Sequence, residues 1–440
     1  MERIFEKKLL EWKNNGMKKP LMVLGVWQIG KTYTVDKFCS ENFEEYIYLN
    51  LEKLEWVKKI FENTIDIDKI LKDIELKLEK KIDLDKTVFF FDEVQVSERF
   101  ITSLKYFCES EKNFKIICAG SLLGVKINRF ASSFPVGKVR MEYMYPMSFE
   151  EFLMASGKNA LLSRIKECYV SMQSMEEFAH EEAIELYRKY LCIGGMPESI
   201  NEYIANNKDL LLYDRTILSN IVDMYIADMT KYTISNIESV KIEKIYKNIP
   251  GQLGMENRRF KYSQVEESAK KRKFETSIDW LISSNMVLVA HNVKRAEKPL
   301  KVYTDDNIFK LYLSDVGILS NISEVKFADI MLNESFIFKG AITENYIAQE
   351  FSAKDVSLYY WTEDRDAEVD FLIHNNDGII PVEVKSGDRT TSKSLNAYIL
   401  KNTPKYAIRI STKNFGFANG IKSVPLYAVF CIANEINSIV

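Results

Sequence analysis

The residues Gly25-Val26-Trp27-Gln28-Ile29-Gly30-Lys31-Thr32 bracket four variable positions with glycines and close on a lysine and a hydroxyl. This GxxxxGK[ST] spacing suits a polyphosphate. Backbone N–H groups of the turn and of the following helix N-terminus face the phosphates, Lys31 neutralises the terminal charge, and the Thr32 hydroxyl ligates magnesium. Residues Gly25 to Thr32, with Tyr33 beyond them, are therefore the expected nucleotide-binding stretch. ATP and Mg²⁺ are the ligands this chemistry calls for.

A second set lies further along. Thr87-Val88-Phe89-Phe90-Phe91 is an apolar run that ends in Asp92-Glu93. At the carboxyl end of a buried parallel strand, Asp92 would hold the magnesium and Glu93 would polarise the water that attacks the γ-phosphate. Phe114-Lys115-Ile116-Ile117-Cys118-Ala119-Gly120 delivers Ser121 in the same way, as a candidate sensor of the γ-phosphate or the water. Lys31, Glu93 and Ser121 are thus the expected catalytic residues, with Thr32 and Asp92 at the metal.

Positioning these groups requires short buried strands, each followed by a turn and a helix. Residues 21–24, 45–51, 87–92 and 114–119 read as the strands, 31–38 and 54–81 as helical stretches. Together they predict a doubly wound, parallel-sheet P-loop NTPase domain over residues 1–155. With 440 residues the chain is too long for one core, and 26 Phe and 23 Tyr against 9 Pro make it globular throughout. No stretch is apolar enough for a membrane span, and the charged N-terminus lacks a signal-peptide core, so a cytoplasmic protein without a membrane partner is expected. The six cysteines show no paired spacing, and the three histidines are far apart in sequence. Neither suggests a disulfide framework or a zinc site.

The loop, the box Phe89-Phe90-Phe91-Asp92-Glu93-Val94-Gln95, the turn Ala119-Gly120-Ser121-Leu122-Leu123-Gly124 and Tyr145-Pro146-Met147-Ser148-Phe149-Glu150-Glu151-Phe152-Leu153 carry a resemblance. Together with Gly194-Gly195-Met196-Pro197, they resemble a prokaryotic group of AAA-like ATPases in which the ATPase precedes a domain of unknown function, DUF4143. The resemblance spans nearly the whole chain. It departs at two places: the family commonly has Arg where this chain has Trp27, and Gly-Arg where it has Gly137-Lys138. These departures leave open which basic residue would complete a neighbour's site, with Arg140 the nearby substitute.

Residues 156–234 read as a helical lid, and Gly194-Gly195-Met196-Pro197 as a structural turn between its helices, with a role in sensing nucleotide state as the alternative. Residues 235–325 read as a winged-helix-like domain: helices over 241–248, 263–270 and 275–284, then a hairpin of 286–293 with 300–303. Arg258, Arg259, Lys261, Lys270, Lys271, Arg272 and Lys273 precede the third helix, and Lys294, Arg295 and Lys298 sit in the wing. Such a cluster suits the phosphates of DNA. It suits a solvated basic face or a protein-docking wing equally well.

Residues 326–440 are expected to form an α/β domain. Thr343 reads as the cap of a helix carrying Glu344, and two hairpin strands carry Asp370 and the triplet Glu383-Val384-Lys385. An Asp, a Glu-x-Lys and a Glu on a preceding helix resemble the PD-(D/E)XK nuclease superfamily. The resemblance implies that Glu344, Asp370, Glu383 and Lys385 converge, with Asp370 and Glu383 on Mg²⁺, Lys385 positioning the nucleophile or offsetting the developing charge, and Glu344 orienting a metal-bound water. Two functions follow. One is an ATPase that acts on DNA through the last two domains; the other is an ATP-gated switch whose inactive nuclease-like domain binds a protein partner.

Overall fold

The computed structural model describes residues 1–121, 123–125, 134–233, 235–332, 338–363, 367–387 and 393–437. Leu122 of the 119–124 turn and Ile234, the expected end of the lid, lie outside them. The chain forms two units, Met1–Tyr145 with Ser283–Asn285, and Pro146–Ile282 with Met286–Val440.

In the first unit, five strands pair side by side in parallel: β1 (Leu21–Leu24), β2 (Glu45–Asn50), β3 (Thr87–Asp92), β4 (Lys115–Ala119) and β5 (Arg140–Tyr143), in the order β2-β3-β4-β1-β5. β1, β3 and β4 are buried along their whole length, which is why they read as unbroken apolar runs rather than alternating ones. The expected helical stretch over 54–81 is two helices, Glu55–Asn63 and Ile67–Leu78, the second capped by the Asp66 carboxylate. Phe91 packs edge-on to Phe61 with ring centroids 5.7 Å apart and lies 4.8 Å from Phe100. This aromatic core clamps the end of β3 one residue before Asp92.

The second unit begins with helices at Phe149–Ala155, Asn159–Ser171, Glu177–Ile193, Pro197–Ala205, Thr216–Lys231 and Asn236–Leu253. Pro197 opens its helix at the first turn, as expected. An eight-stranded sheet follows in the order β12-β13-β11-β10-β9-β8-β6-β7. Its strands are β6 (Val287–Val293), β7 (Thr304–Leu313), β8 (Tyr359–Glu363), β9 (Ala367–Asn375), β10 (Gly378–Val384), β11 (Ala407–Ser411), β12 (Gly416–Ala418) and β13 (Ile421–Pro425).

Four expectations for this unit are corrected. The segment 300–303 is a 3₁₀ turn after Pro299, and the strand returning against β6 is β7. Alternation in Leu300-Lys301-Val302-Tyr303 mimics a strand, but Leu300 turns into a cluster with Trp361 and Val369 while Val302 stays exposed. The β6–β7 hairpin is no freestanding wing, because β6 also pairs in parallel with β8 and so joins the C-terminal sheet. The second helix is only Tyr262–Val265, since the backbone is already extended at Glu266 and turns left-handed at Ser268 (φ +61°). Thr343 is no cap either: its helix starts at Lys339, and its hydroxyl donates to the Lys339 carbonyl at 2.9 Å.

Candidate active site

The loop after β1 is held open by backbone conformations that few residues adopt. Gly25 has φ +144°, and a Cβ there would stand 2.3 Å from the Met144 carbonyl oxygen. Gln28 (φ +61°) and Gly30 (φ +85°) are left-handed. Gly30 directly precedes the helix Lys31–Asn42, and no side chain caps that helix. Its first N–H groups therefore face the loop, in the arrangement that binds anions.

Lys31 folds back into the loop. Its Nζ donates to the carbonyls of Gly25 (3.0 Å) and Val26 (2.7 Å) and to Ser121 Oγ (3.2 Å). Burial pushes this ammonium down to about 8, against the pull of the Glu93 and Asp92 carboxylates. Thr32 Oγ1 donates to Asp92 Oδ2 at 2.9 Å, and the Tyr48 hydroxyl donates to the same oxygen at 3.0 Å. Asp92 Oδ1 accepts the Glu93 N–H at 3.0 Å. Glu93 itself takes a left-handed backbone (φ +52°) just past β3, and Gln95 donates to its carboxylate at 2.5 Å. Burial raises the Glu93 carboxyl above the ordinary range.

Lys31, Thr32, Asp92, Glu93 and Ser121 thus lie at the carboxyl ends of three neighbouring strands, β1, β4 and β3. Of the rest of the stretch, Val26 and Ile29 are buried and anchor the loop, Trp27 and Gln28 are half-buried, and Tyr33 is exposed. The fit to a magnesium nucleotide is good: a cradle with no room for a Cβ, a lysine aimed into it, and a hydroxyl already against a carboxylate.

Sequence reasoning missed Arg3. This buried guanidinium donates to the Ile29 carbonyl at 2.6 Å and to the Tyr145 carbonyl at 2.7 Å, tying the N-terminus to the loop. It carries no local signal, because its partners lie 26 and 142 residues away. Arg140, the nearby substitute, and Lys138 are both paired within their own unit. Lys138 meets Glu109 at 2.9 Å, and Arg140 meets Glu142 at 2.7 Å and Glu11 at 3.3 Å.

In the second unit, the helix Lys339–Ser352 precedes β8, β9 and β10, and β9 and β10 pair antiparallel. The register Phe371↔Val382 puts Asp370 opposite Glu383 at the next position. Asp370 Oδ2 accepts the Val384 N–H at 2.7 Å, and Glu383 pairs with Lys385 at 2.5 Å. Glu344 departs from the expected convergence on a metal. Its Oε1 accepts from Lys310 Nζ (2.7 Å) and Tyr312 (2.7 Å), and its Oε2 accepts from Arg258. Among the described residues no group of three or more His, Cys, Asp or Glu could hold a metal ion. With both oxygens of Glu344 engaged by Lys310, Tyr312 and Arg258, this carboxylate is committed within the protein rather than turned to a metal-bound water.

The basic cluster is also partly engaged internally. Arg258 turns inward to Glu344, Lys273 pairs with Glu266, Lys271 meets Glu275 at 3.5 Å, and Lys294 meets Asp305 at 2.9 Å. Among the described residues no helix is long and apolar enough to cross a membrane.

The AAA domain family matches residues 17–153, the domain of unknown function DUF8612 matches 184–329, and the domain of unknown function DUF4143 matches 339–429. A Walker-type ATPase of Pyrococcus abyssi is similar at 14% identity over 73% of this chain and 95% of that one, with a TM-score of 0.45. The ORC2 protein of Aeropyrum pernix, in its ADPNP-ADP complexes, is 12% identical over 78% of this chain and 94% of that one, with a TM-score of 0.35. No curated protein matches the sequence.

Proposed function

Because the chain belongs to the AAA-like ATPases that carry a C-terminal DUF4143 domain, we propose that it binds Mg-ATP at Gly25 to Tyr33 and hydrolyses it with Glu93. The observation that carries this reading is the meeting of Lys31 with Ser121 and of Thr32 with Asp92, across three strand ends. Magnesium, held through Thr32 and Asp92, would supply neutralising charge at the phosphates. Lys31 trades its loop carbonyls for phosphate oxygens, which accept a cation's protons more strongly. Glu93, its proton affinity raised by burial, orients the attacking water and takes its proton. Ser121, already bonded to Lys31, is placed to register the state of the terminal phosphate.

Calorimetric titration of Lys31→Ala with Mg-ATP tests the site. Binding should be lost, and a variant that held ATP as tightly as the parent would remove the assignment.

For the second unit, the reading best supported is recognition without cleavage. The element order resembles that of the nuclease constellation, a Glu-bearing helix followed by paired Asp and Glu-x-Lys strands. Yet Glu344 is committed to Lys310 and Arg258. We infer an ATP-gated switch whose C-terminal domain contacts a protein partner. Duplex DNA binding with a steep salt dependence, or metal-dependent cutting abolished in Asp370→Ala, would instead favour action on DNA.

A further inference from the structure

The run Ile308-Phe309-Lys310-Leu311-Tyr312-Leu313 contains one lysine among apolar and aromatic residues, and from Phe309 onward it is buried. A lysine in such a strand is tolerated only with strong compensation. Lys310 has it. Its ammonium, with no solvent exposure, lies 2.7 Å from Glu344 Oε1 and 2.6 Å from Glu368 Oε1, and 4.8 Å from the centre of the Tyr360 ring. Two carboxylates and an aromatic face are what a cation takes as ligands in a site with little water.

The position of this pair relative to the hairpin matters. Glu368 and Asp370 lie two apart on β9 and so share a face. Asp370 stands opposite Glu383, which pairs with Lys385. A row of four carboxylates therefore runs from Glu344 through Glu368 and Asp370 to Glu383. Like charges in such a row repel unless cations separate them. Here the cations belong to the protein: Arg258 and Lys310 at one end, Lys385 at the other.

We propose that Lys310, seated between Glu344 and Glu368, is the built-in cation of this carboxylate row, and that with Lys385 at Glu383 it takes the neutralising role a divalent ion has in the nuclease constellation. The domain is then independent of metal. This rests on the recognition reading given above and makes it specific, since three cations of the protein already stand against the four carboxylates and leave little charge for a metal. Lys310 also holds the architecture together, joining β7 to the Glu344 helix and to β9 and so fastening the 304–313 strand to the C-terminal sheet.

The test uses the full chain without nucleotide, in an Asp92→Asn background so that the phosphate loop does not contribute. Mn²⁺ is titrated by calorimetry and by its effect on the melting temperature. The parent should show no saturable Mn²⁺ binding and no shift at millimolar Mn²⁺. Lys310→Met should melt several degrees lower and recover part of that loss when Mn²⁺ replaces the missing cation between Glu344 and Glu368. If Lys310→Met does not accumulate as folded protein, the parent's titration decides alone. Saturable Mn²⁺ binding that disappears in Asp370→Asn overturns the proposal, and its absence carries it. Metal binding without cutting of DNA would remove the role of Lys310 and leave the recognition reading intact, so the two fail separately.

Discussion

Gly194 and Gly317 cross with only backbone between them. A Cβ on Gly194 would stand 2.8 Å from Gly317 Cα, and one on Gly317 would stand 2.6 Å from Gly194 Cα. Gly194 also has φ +73°, and the adjoining Asp315 carboxylate accepts the Gly195 N–H at 2.6 Å. The turn Gly194-Gly195-Met196-Pro197 is thus a crossing point where the helix Glu177–Ile193 meets the helix Val316–Ile322.

Gly194→Ala should therefore destabilise the protein by roughly 2 kcal/mol or more, through overlap and an unfavourable φ together. Gly251→Ala is the control. It lies in the helix Asn236–Leu253 with nothing within 4 Å of the added methyl, so it should be neutral or stabilise by up to about 1 kcal/mol. Urea midpoints measure both. Equal stability of Gly194→Ala and the parent would end the crossing-point account.

What was legible in the sequence is what local strings determine. The phosphate loop, the Asp92-Glu93 strand end and Ser121 each follow an apolar run that must be a buried strand, so their placement needed no knowledge of distant contacts. Glu344 was legible as a position and misread as an environment. Its partners Lys310 and Arg258 come from 34 and 86 residues away, and nothing in Ile308-Phe309-Lys310-Leu311 says which carboxylate the lysine will meet. The second strand of the hairpin was displaced for a similar reason: Leu300-Lys301-Val302-Tyr303 alternates like a strand, yet the strand that pairs with β6 starts at Thr304. The same long-range contacts removed Arg258 from the basic surface.

Glu350 gives the second unit a dependence on pH. Its carboxyl is wholly buried, accepts the Phe149 N–H at 2.7 Å, and is pushed up to about 8, chiefly by burial, with Glu150 and Glu151 adding to the shift. The folded chain therefore keeps a proton that the unfolded chain releases from its ordinary carboxylate value upward. Stability falls as pH rises across that window, by at most about 1.4 kcal/mol per pH unit, and levels off above about 8. Glu350→Gln keeps an acceptor for Phe149 and should abolish this slope, leaving the variant more stable than the parent near pH ~9. Parallel slopes for the two proteins in denaturant titrations across pH would contradict it.

Lys31 predicts a pH dependence of opposite origin. Without nucleotide its ammonium sits at about 8, below its ordinary value, so above that pH a growing share of the protein carries neutral Lys31. The unfolded chain still holds the proton there, so this group's cost to stability is relieved as pH rises from about 8 toward 10.5. Bound phosphates favour the charged form, and ATP binding above about pH 8 must take up a proton. Affinity should then weaken by up to about tenfold per pH unit. Lys31→Arg stays charged throughout and should flatten the profile. A parent affinity that does not change between neutral and alkaline pH in a fluorescence competition assay would show that Lys31 does not meet the phosphates.

Glu93 offers the sharpest separation of chemistry from structure. It combines a left-handed backbone with a half-buried carboxyl whose proton affinity burial raises, two costs that a residue of purely structural use would not need to bear together. Glu93→Gln keeps the size of the side chain and an acceptor for Gln95, so Mg-ATP should bind as in the parent while turnover falls by about 10²- to 10⁴-fold. Glu93→Gly should lose turnover as fully and yet unfold at higher urea, since glycine adopts φ +52° without the steric cost. Loss of activity with a gain in stability is the signature of strain kept for catalysis. Steady-state ATPase rates and urea midpoints on the same preparations decide the matter, and a Glu93→Gln protein that hydrolyses ATP at the parent's rate would move the water-activating role to another residue.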